Sequence, residues 1–407
     1  MRRLRLVCVL VAAIVAAACG SISGGGTPAN SYTGKTIKLG AILSITGEGG
    51  VFGPSSQKGM ELAVEQINKS GGVNGATISL TVRDDASTQS QSAQVAQTMI
   101  KSDQDLALLG PTLSNSAVAV HPLAENQHIP ILAVSTTGIN IVPNCNFPST
   151  VPCRYVFRDS LGEETAIPDN IKSYAADAKP TTGVLLVARD DKFSIDGGKI
   201  VEATAGQYGI TLKKTIGFNK TEPDLSSYVT QAVQLNPDVI FITSLGAIPA
   251  QIMHAARKQG WQGQFLGGNG FNTATVSKDA GADGADARSA SAWYLGNTFS
   301  SNTDFVTAYK AKYANLDGTP TNPDQFAAQG YTAIKILADA ARRANLTFSD
   351  LNGDRDKLRA AMETVNIQSP LGPFQFTSTH DVKQTVWIIK MDGAGGFTLV
   401  HEIRASQ

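Results

Sequence analysis

Two short apolar runs in this chain end in hydroxyl-bearing residues. Leu106-Ala107-Leu108-Leu109 leads into Gly110-Pro111-Thr112-Leu113-Ser114-Asn115-Ser116, and Ile129-Pro130-Ile131-Leu132-Ala133-Val134 leads into Ser135-Thr136-Thr137-Gly138. Both runs have the length and composition of buried strands, and the segment after the first reads as a helix through Ala124. The chemistry open to such a pattern is capture of an anionic group. Hydroxyls donate hydrogen bonds, and the unpaired N–H groups of a helix start attract negative charge. In open α/β sheets, ligands bind beyond the carboxyl ends of the strands. The same Ser114 and Thr137 would also serve as plain helix caps.

Signatures of bond-making chemistry are missing. Gly34-Lys35-Thr36 resembles the tail of a phosphate loop, but Ala29 stands where the first glycine should, and the segment precedes a strand instead of following one. Ser244 has Ile242 two residues before it, so no nucleophile elbow forms. His121, His128, His254, His380 and His401 show no metal-ligand spacing, and His121 and His254 read as surface or core residues of helices. Asp84-Asp85 and Asp190-Asp191 close strands. Neighbouring side chains there point apart, so the pairs read as solvated strand-end charges, with ligand-facing groups second. The expectation is a non-enzyme without cofactor or metal. Lys+Arg 34 balances Asp+Glu 34, and without a basic footprint nucleic acid is not an expected partner.

The elements that must position these residues alternate. Thr36 to Leu43 reads as a strand, the loop through Phe52-Gly53 follows, and Pro54 opens a helix to Asn68. Ile78 to Val82 is a strand and Thr88 to Ile100 a helix. After Arg158 the rhythm restarts, with strands at 183–188, 211–218, 238–242 and 264–267 between helices at 163–176, 194–208, 225–234 and 249–258. Helices at 304–314, 323–344 and 355–364 follow, then strands near 374–376 and 385–390. Such alternation predicts an α/β fold of two Rossmann-like lobes with parallel central sheets and a cleft between them. A length of 407 residues suffices for a core in each.

The N-terminus sets the compartment. Arg2, Arg3 and Arg5 precede an apolar run from Leu6 to Ala18 that is too short to span a bilayer. Ala16-Ala17-Ala18-Cys19-Gly20 then resembles a bacterial lipoprotein signal, 1–19, with Cys19 lipidated and the protein anchored on the outer face of the cell membrane. Cleavage as an ordinary secretory signal is the alternative. Residues 20–35, rich in Gly, Ser and Thr, read as a flexible tether. Cys145 and Cys153 flank a polar, proline-bearing loop. A local disulfide suits an oxidising compartment, and two free thiols are the alternative.

A series of short motifs runs in order along the chain: Ile37-Lys38-Leu39-Gly40 with Thr46-Gly47, Gly71-Gly72-Val73-Asn74-Gly75, Arg83-Asp84-Asp85, Leu109-Gly110-Pro111, Ile129-Pro130, Phe157-Arg158 and Asp224-Leu225-Ser226. Taken together, they resemble the solute-binding proteins of branched-chain amino acid ABC transporters, which have the type I periplasmic binding protein fold. The resemblance implies three crossings between lobes, placed near Arg158, Asn297 and Pro370-Leu371-Gly372. Lobe 1 is then 36–158 plus 298–371, and lobe 2 is 159–297 plus 372–407.

The resemblance also implies a site. Ser114, Asn115, Thr136, Thr137 and Gly138 match the positions that hold a ligand carboxylate, and Phe52 matches an overhanging aromatic. The second lobe departs from the family pattern. Phe193 stands for a tyrosine, Leu245-Gly246 for an aromatic, and Asn269 for the acid that pairs with an α-ammonium, with Asp190 or Asp191 as substitutes. A buried ammonium without a counter-charge is costly, so the expected ligand is a small carboxylate, amide or aromatic acid lacking the amine. The expected role is a monomeric receptor delivering solute to an ABC permease. A sensor passing occupancy to a signalling partner is the alternative, as is branched-chain amino acid binding as in the parent family.

Overall fold

The structure is a computed structural model and describes residues 31–142, 153–314 and 322–404. The signal, residues 20–30 of the tether, Cys19 and Cys145 lie outside the described residues. The tether's end is not loose, because Tyr32 is buried in the first lobe's core and its hydroxyl accepts the N–H of Leu346 at 3.0 Å. Cys153 is disulfide-bonded.

Strands β1 (Thr36–Leu43), β2 (Thr77–Asp84), β3 (Ala107–Leu109), β4 (Ile131–Ala133) and β5 (Val156–Arg158) form a parallel sheet in the order β2-β1-β3-β4-β5. Helices α1 (Gly53–Lys69), α2 (Gln89–Lys101) and α3 (Ser114–Asn126) make the crossovers. Parallel sheets are covered on both faces, which is why β3 and β4 are buried at every position. The second lobe repeats the plan. It uses α4 (Glu163–Ala178), β6 (Thr182–Ala188), α5 (Lys192–Thr204), β7 (Thr211–Phe218), α6 (Ser226–Gln234) and β8 (Val239–Ile242). It continues with α7 (Ile248–Lys258), β9 (Gln264–Gly267), α8 (Ala274–Ala280) and β10 (Arg288–Ser291).

The chain then returns to the first lobe for α9 (Ser300–Tyr313), α10 (Gln325–Arg343), α11 (Leu351–Met362) and the hairpin β11 (Asn366–Ser369) and β12 (Gly372–Gln375). It ends in β13 (Val386–Met391) and β14 (Phe397–Ile403), added antiparallel to the edge of a seven-stranded sheet ordered β14-β13-β10-β9-β8-β6-β7. Helix α10 lies close on α1 because both are bare at the crossing. A Cβ on Gly59 would enter the carbonyl of Ala327, and one on Gly330 that of Ser56.

The third crossing falls later than the sequence suggests. Leu371 and Phe374 are buried in the first lobe's core beside Phe305 and Leu39, and Phe376 and Val382 pack on it. The Ser369↔Gly372 turn folds the hairpin back onto this lobe, so residues 372–382 belong with it, and the chain re-enters the second sheet at β13. Strand β10 also reads poorly in sequence, since Arg-Ser-Ala-Ser is not an apolar run. Its serines are buried because neighbours satisfy them: Ser289 Oγ donates to Asn272 Oδ1 and Ser291 Oγ to Trp293 O, each at 2.6 Å.

Arg158 ties the crossings together. Fully buried at the end of β5, it donates through Nε to Asp381 at 2.9 Å and through Nη2 to Asp381 and Glu164 at 2.5 and 3.0 Å. The first crossing is thus pinned to the segment entering the third. No described helix is long and apolar enough to cross a membrane.

Candidate functional site

The first lobe's wall begins where β3 ends. Gly110 has φ +96, and a Cβ there would strike the carbonyl of Ile42, so only glycine lets the turn pass this close to β1. The turn delivers α3 with Leu113 in the capping position and no side-chain cap. Ser114 is therefore not a cap. Its Oγ accepts the N–H of Gly138 at 3.2 Å, which leaves the hydroxyl hydrogen free to donate. Thr112 is similar, because its Oγ1 accepts the N–H of Ser44 at 2.9 Å. Ser135 is committed, donating to Thr112 O at 2.8 Å. Beside them lie the first-turn N–H groups of α3, which have no intrahelical partners.

Phe52, Thr112, Leu113, Ser114, Ser135 and Phe326 face Phe193, Leu245 and Asn269 of the second lobe across a narrow cavity. Phe193 sits in the first turn of α5, which Asp191 caps by accepting the N–H of Ser194 at 2.8 Å. Leu245 follows β8, and Asn269 opens a single turn after β9. The rings of Phe52 and Phe326 meet at 4.9 Å between centroids. All five apolar side chains are buried, and they form one cluster across the cleft. The middle of the cavity is thus hydrophobic and its ends are polar.

The other sequence-derived residues do not line this cavity. Thr136 Oγ1 donates to Pro111 O at 2.9 Å, a contact internal to the first lobe. Thr137 Oγ1 donates to Glu163 Oε1 at 3.2 Å, and Gly138 contributes the N–H held by Ser114. Asn115 turns outward to close the cleft. It donates to Asp191 Oδ2 at 2.9 Å and accepts the N–H of Lys192 at 2.8 Å. Gly246, at φ +62, lies against Glu48 of the opposite lobe.

The strand-end aspartates are not free charges either. Asp190 accepts the N–H of Lys220 at 2.9 Å, and Asp191 is buried at its cap, so neither reaches the cavity. Asp85 is also buried, accepting from Ser44, Ser87 and Ser92. The reading as solvated fails for Asp85 and Asp191, which loop hydroxyls and amides invisible to strand periodicity surround, while Asp190 is exposed and Asp84 half-buried.

Two features had no signal in strand or helix patterns. At the mouth, Lys220 Nζ reaches Glu48 Oε2 at 2.5 Å and Asp191 Oδ2 at 3.5 Å, pairing the lobes. Burial pushes the Glu48 carboxyl above its ordinary value. At the back, Glu163 Oε1 accepts from Thr137 of the first lobe and from the backbone N–H of Asn269 at 2.8 Å. Its Oε2 is buried without a partner, and desolvation raises this carboxyl to about 8. Among the described residues no cluster of His, Cys, Asp and Glu could hold a metal ion.

A polar-ended, apolar-centred cavity closed between two hinged α/β lobes defines a solute-binding receptor of the two-lobed class. The comparisons give the family. The model for "Periplasmic binding protein" matches residues 36–396, and the chain belongs to that family, with the type I fold. A Leucine-, isoleucine-, valine-, threonine-, and alanine-binding protein from Pseudomonas aeruginosa is 21% identical over 87% of this chain and 89% of its own length. The branched-chain amino acid transporter substrate binding protein LivJ of Streptococcus pneumoniae, solved with isoleucine, superposes with TM-score 0.79 at 21% identity, covering 91% of this chain and 99% of that one. A solute binding protein of an ABC transporter from R. palustris, solved with benzoate, gives 0.78 at 20% identity over 91% and 97%.

Proposed function

We propose that this protein captures a small organic carboxylate lacking an α-ammonium and hands it to an ABC importer. The observation that supports the reading is the polarity of the cavity's first wall. The hydroxyls of Ser114 and Thr112 have their acceptor sides occupied by backbone N–H groups, and the start of α3 adds free N–H groups. Ser114, Thr112 and the start of α3 each have a donor to give, as an anionic oxygen requires. The aromatic and aliphatic side chains behind it suit an apolar body. Closure by hinge motion would bury it.

The lipid anchor at Cys19, a Cys145–Cys153 disulfide, lobe boundaries close to Arg158 and Asn297, and action as a monomer belong to the same proposal. A second reading, branched-chain amino acid capture, is favoured by one observation: Glu163 keeps a buried, unpartnered oxygen beside Thr137 and Asn269. A thermal-shift screen of protein freed of solute by unfolding and refolding tests the proposal. The panel sets leucine, isoleucine and valine against their deaminated acids, simple amides and benzoate. Ligand at about 100 times Kd adds roughly 2.7 kcal/mol. Stabilisation by amine-free acids is expected. Stabilisation by the amino acids alone would replace the proposal with the second reading.

A further inference from the structure

The amide of Asn269 is held in one orientation by groups whose polarity is fixed. The backbone N–H of Ala292 donates to Gln325 at 2.8 Å, so the atom it meets must be Oε1. The other end of Gln325 is then Nε2, and it donates to Asn269 at 2.5 Å, making that atom Oδ1. A second chain of bonds gives the same answer. The backbone carbonyl of Ala290 accepts from Asn272 at 2.8 Å, which fixes that atom as Nδ2, and Nδ2 also donates to Asn269 Oδ1 at 3.3 Å.

Asn269, Asn272 and Gln325 are all buried, so no water can substitute for a reversed amide without loss. With Oδ1 turned to Gln325 and Asn272, the group Asn269 has left for a bound solute is its N–H₂. Gln325 itself comes from the first residue of α10, in the first lobe. An element of one lobe therefore sets the hydrogen-bond polarity of the other lobe's wall.

We propose that Asn269 is a dedicated hydrogen-bond donor, held in that sense by Gln325 as its positioning residue, and that the pair determines specificity. It selects solutes that present a lone-pair acceptor, such as a keto oxygen, to the second wall and rejects those that present an ammonium there. The inference rests on the reading of the cavity as a carboxylate site and narrows the ligand class within it. An ammonium facing the amide N–H₂ meets donor against donor, and a site built for one polarity discriminates strongly against the other.

The test compares three probes of one carbon skeleton by calorimetric titration: 4-methyl-2-oxopentanoate, 4-methylpentanoate and L-leucine. The wild type is expected to bind the keto acid at least about tenfold more tightly than leucine, with the unsubstituted acid between them. In Gln325→Glu the atom facing Asn269 becomes an acceptor. The Asn269 amide, then held in its present sense only by the longer 3.3 Å bond from Asn272, is drawn over to donate to the new acceptor and offers Oδ1 to the solute, so the keto-to-amino ratio falls. Loss of packing alone would weaken both probes together and leave the ratio in place. Should Gln325→Glu fail to fold, Asn269→Asp gives the same readout, with leucine gaining on the keto acid.

A ratio unmoved by either variant overturns the inference and leaves small-carboxylate capture standing, whereas leucine binding the wild type as tightly as the keto acid overturns the inference together with the exclusion of an α-ammonium. Binding of none of the three, with benzoate and the simple amides also without effect, overturns both.

Discussion

The polar part of the first lobe's wall is made largely from the backbone: the start of α3 and a glycine turn, joined by two hydroxyls that each accept a backbone N–H. The second lobe's wall is made of side chains, Phe193, Leu245 and Asn269, each at the end of a different strand or start of a different helix. Backbone groups cannot be exchanged by mutation, so the first wall is suited to a feature common to many solutes, a carboxylate. Side chains can be exchanged one at a time, and the second wall is where solutes can be told apart.

The comparison breaks first at the hinge both lobes share. Arg158→Ala leaves Asp381 and Glu164 without their buried partner and is expected to cost about 3–5 kcal/mol. Denaturant unfolding checks this, and a loss under 1 kcal/mol would show the crossings are held by packing alone. Next is the back of the cleft. Glu163 titrates at about 8 in the folded protein against an ordinary 4.5, so the folded state holds the proton more tightly than the unfolded chain. Its stabilising contribution is complete below about pH 4.5 and is lost as pH rises through about 8, at up to about 1.4 kcal/mol per pH unit. Glu163→Gln should flatten the fall in unfolding free energy between pH 5 and 8, and an unchanged slope would assign it elsewhere.

The two walls then separate. Phe193→Ala, on the second wall, removes most of an apolar face and is expected to weaken binding by about 2–3 kcal/mol, with ligands ranked differently afterwards. Ser114→Ala, on the first, removes one hydroxyl while the α3 N–H groups stay, so about 1 kcal/mol is expected for every carboxylate alike. Titration calorimetry with several acids distinguishes these patterns. The smallest effect belongs to the mouth. Lys220→Met removes a partly exposed bridge to Glu48 and should lower affinity by under about 1 kcal/mol, with the salt dependence of binding reduced.

Sequence exposed the two walls unequally for the same reason. Apolar runs ending in Gly110-Pro111-Thr112-Leu113-Ser114 and Ser135-Thr136-Thr137 declare where strands stop, and strand ends are where α/β sheets bind. The alternation that gave the sheets is equally local. Period and turn residues do not show which hydroxyl faces the cavity. Thr136 and Thr137 look alike beside Ser114, yet the structure turns them to Pro111 and Glu163. Nor could Phe326, Glu163 or Gln325 be found from spacing, since they reach the cleft from α10 and α4, far along the chain from the strands they meet. Strand β10 was hidden because its buried serines are satisfied by side chains of a distant turn. The late third crossing was hidden because a hairpin, not a break in composition, decides it.

The division of labour between the walls is tested most directly by one square of titrations: wild type, Ser114→Ala and Asn269→Asp, each against 4-methyl-2-oxopentanoate and L-leucine. The account predicts that Ser114→Ala weakens both ligands by the same factor and leaves their ratio unchanged, while Asn269→Asp moves the ratio toward leucine. A ratio that shifts with Ser114→Ala, or one that stays fixed with Asn269→Asp, would contradict it.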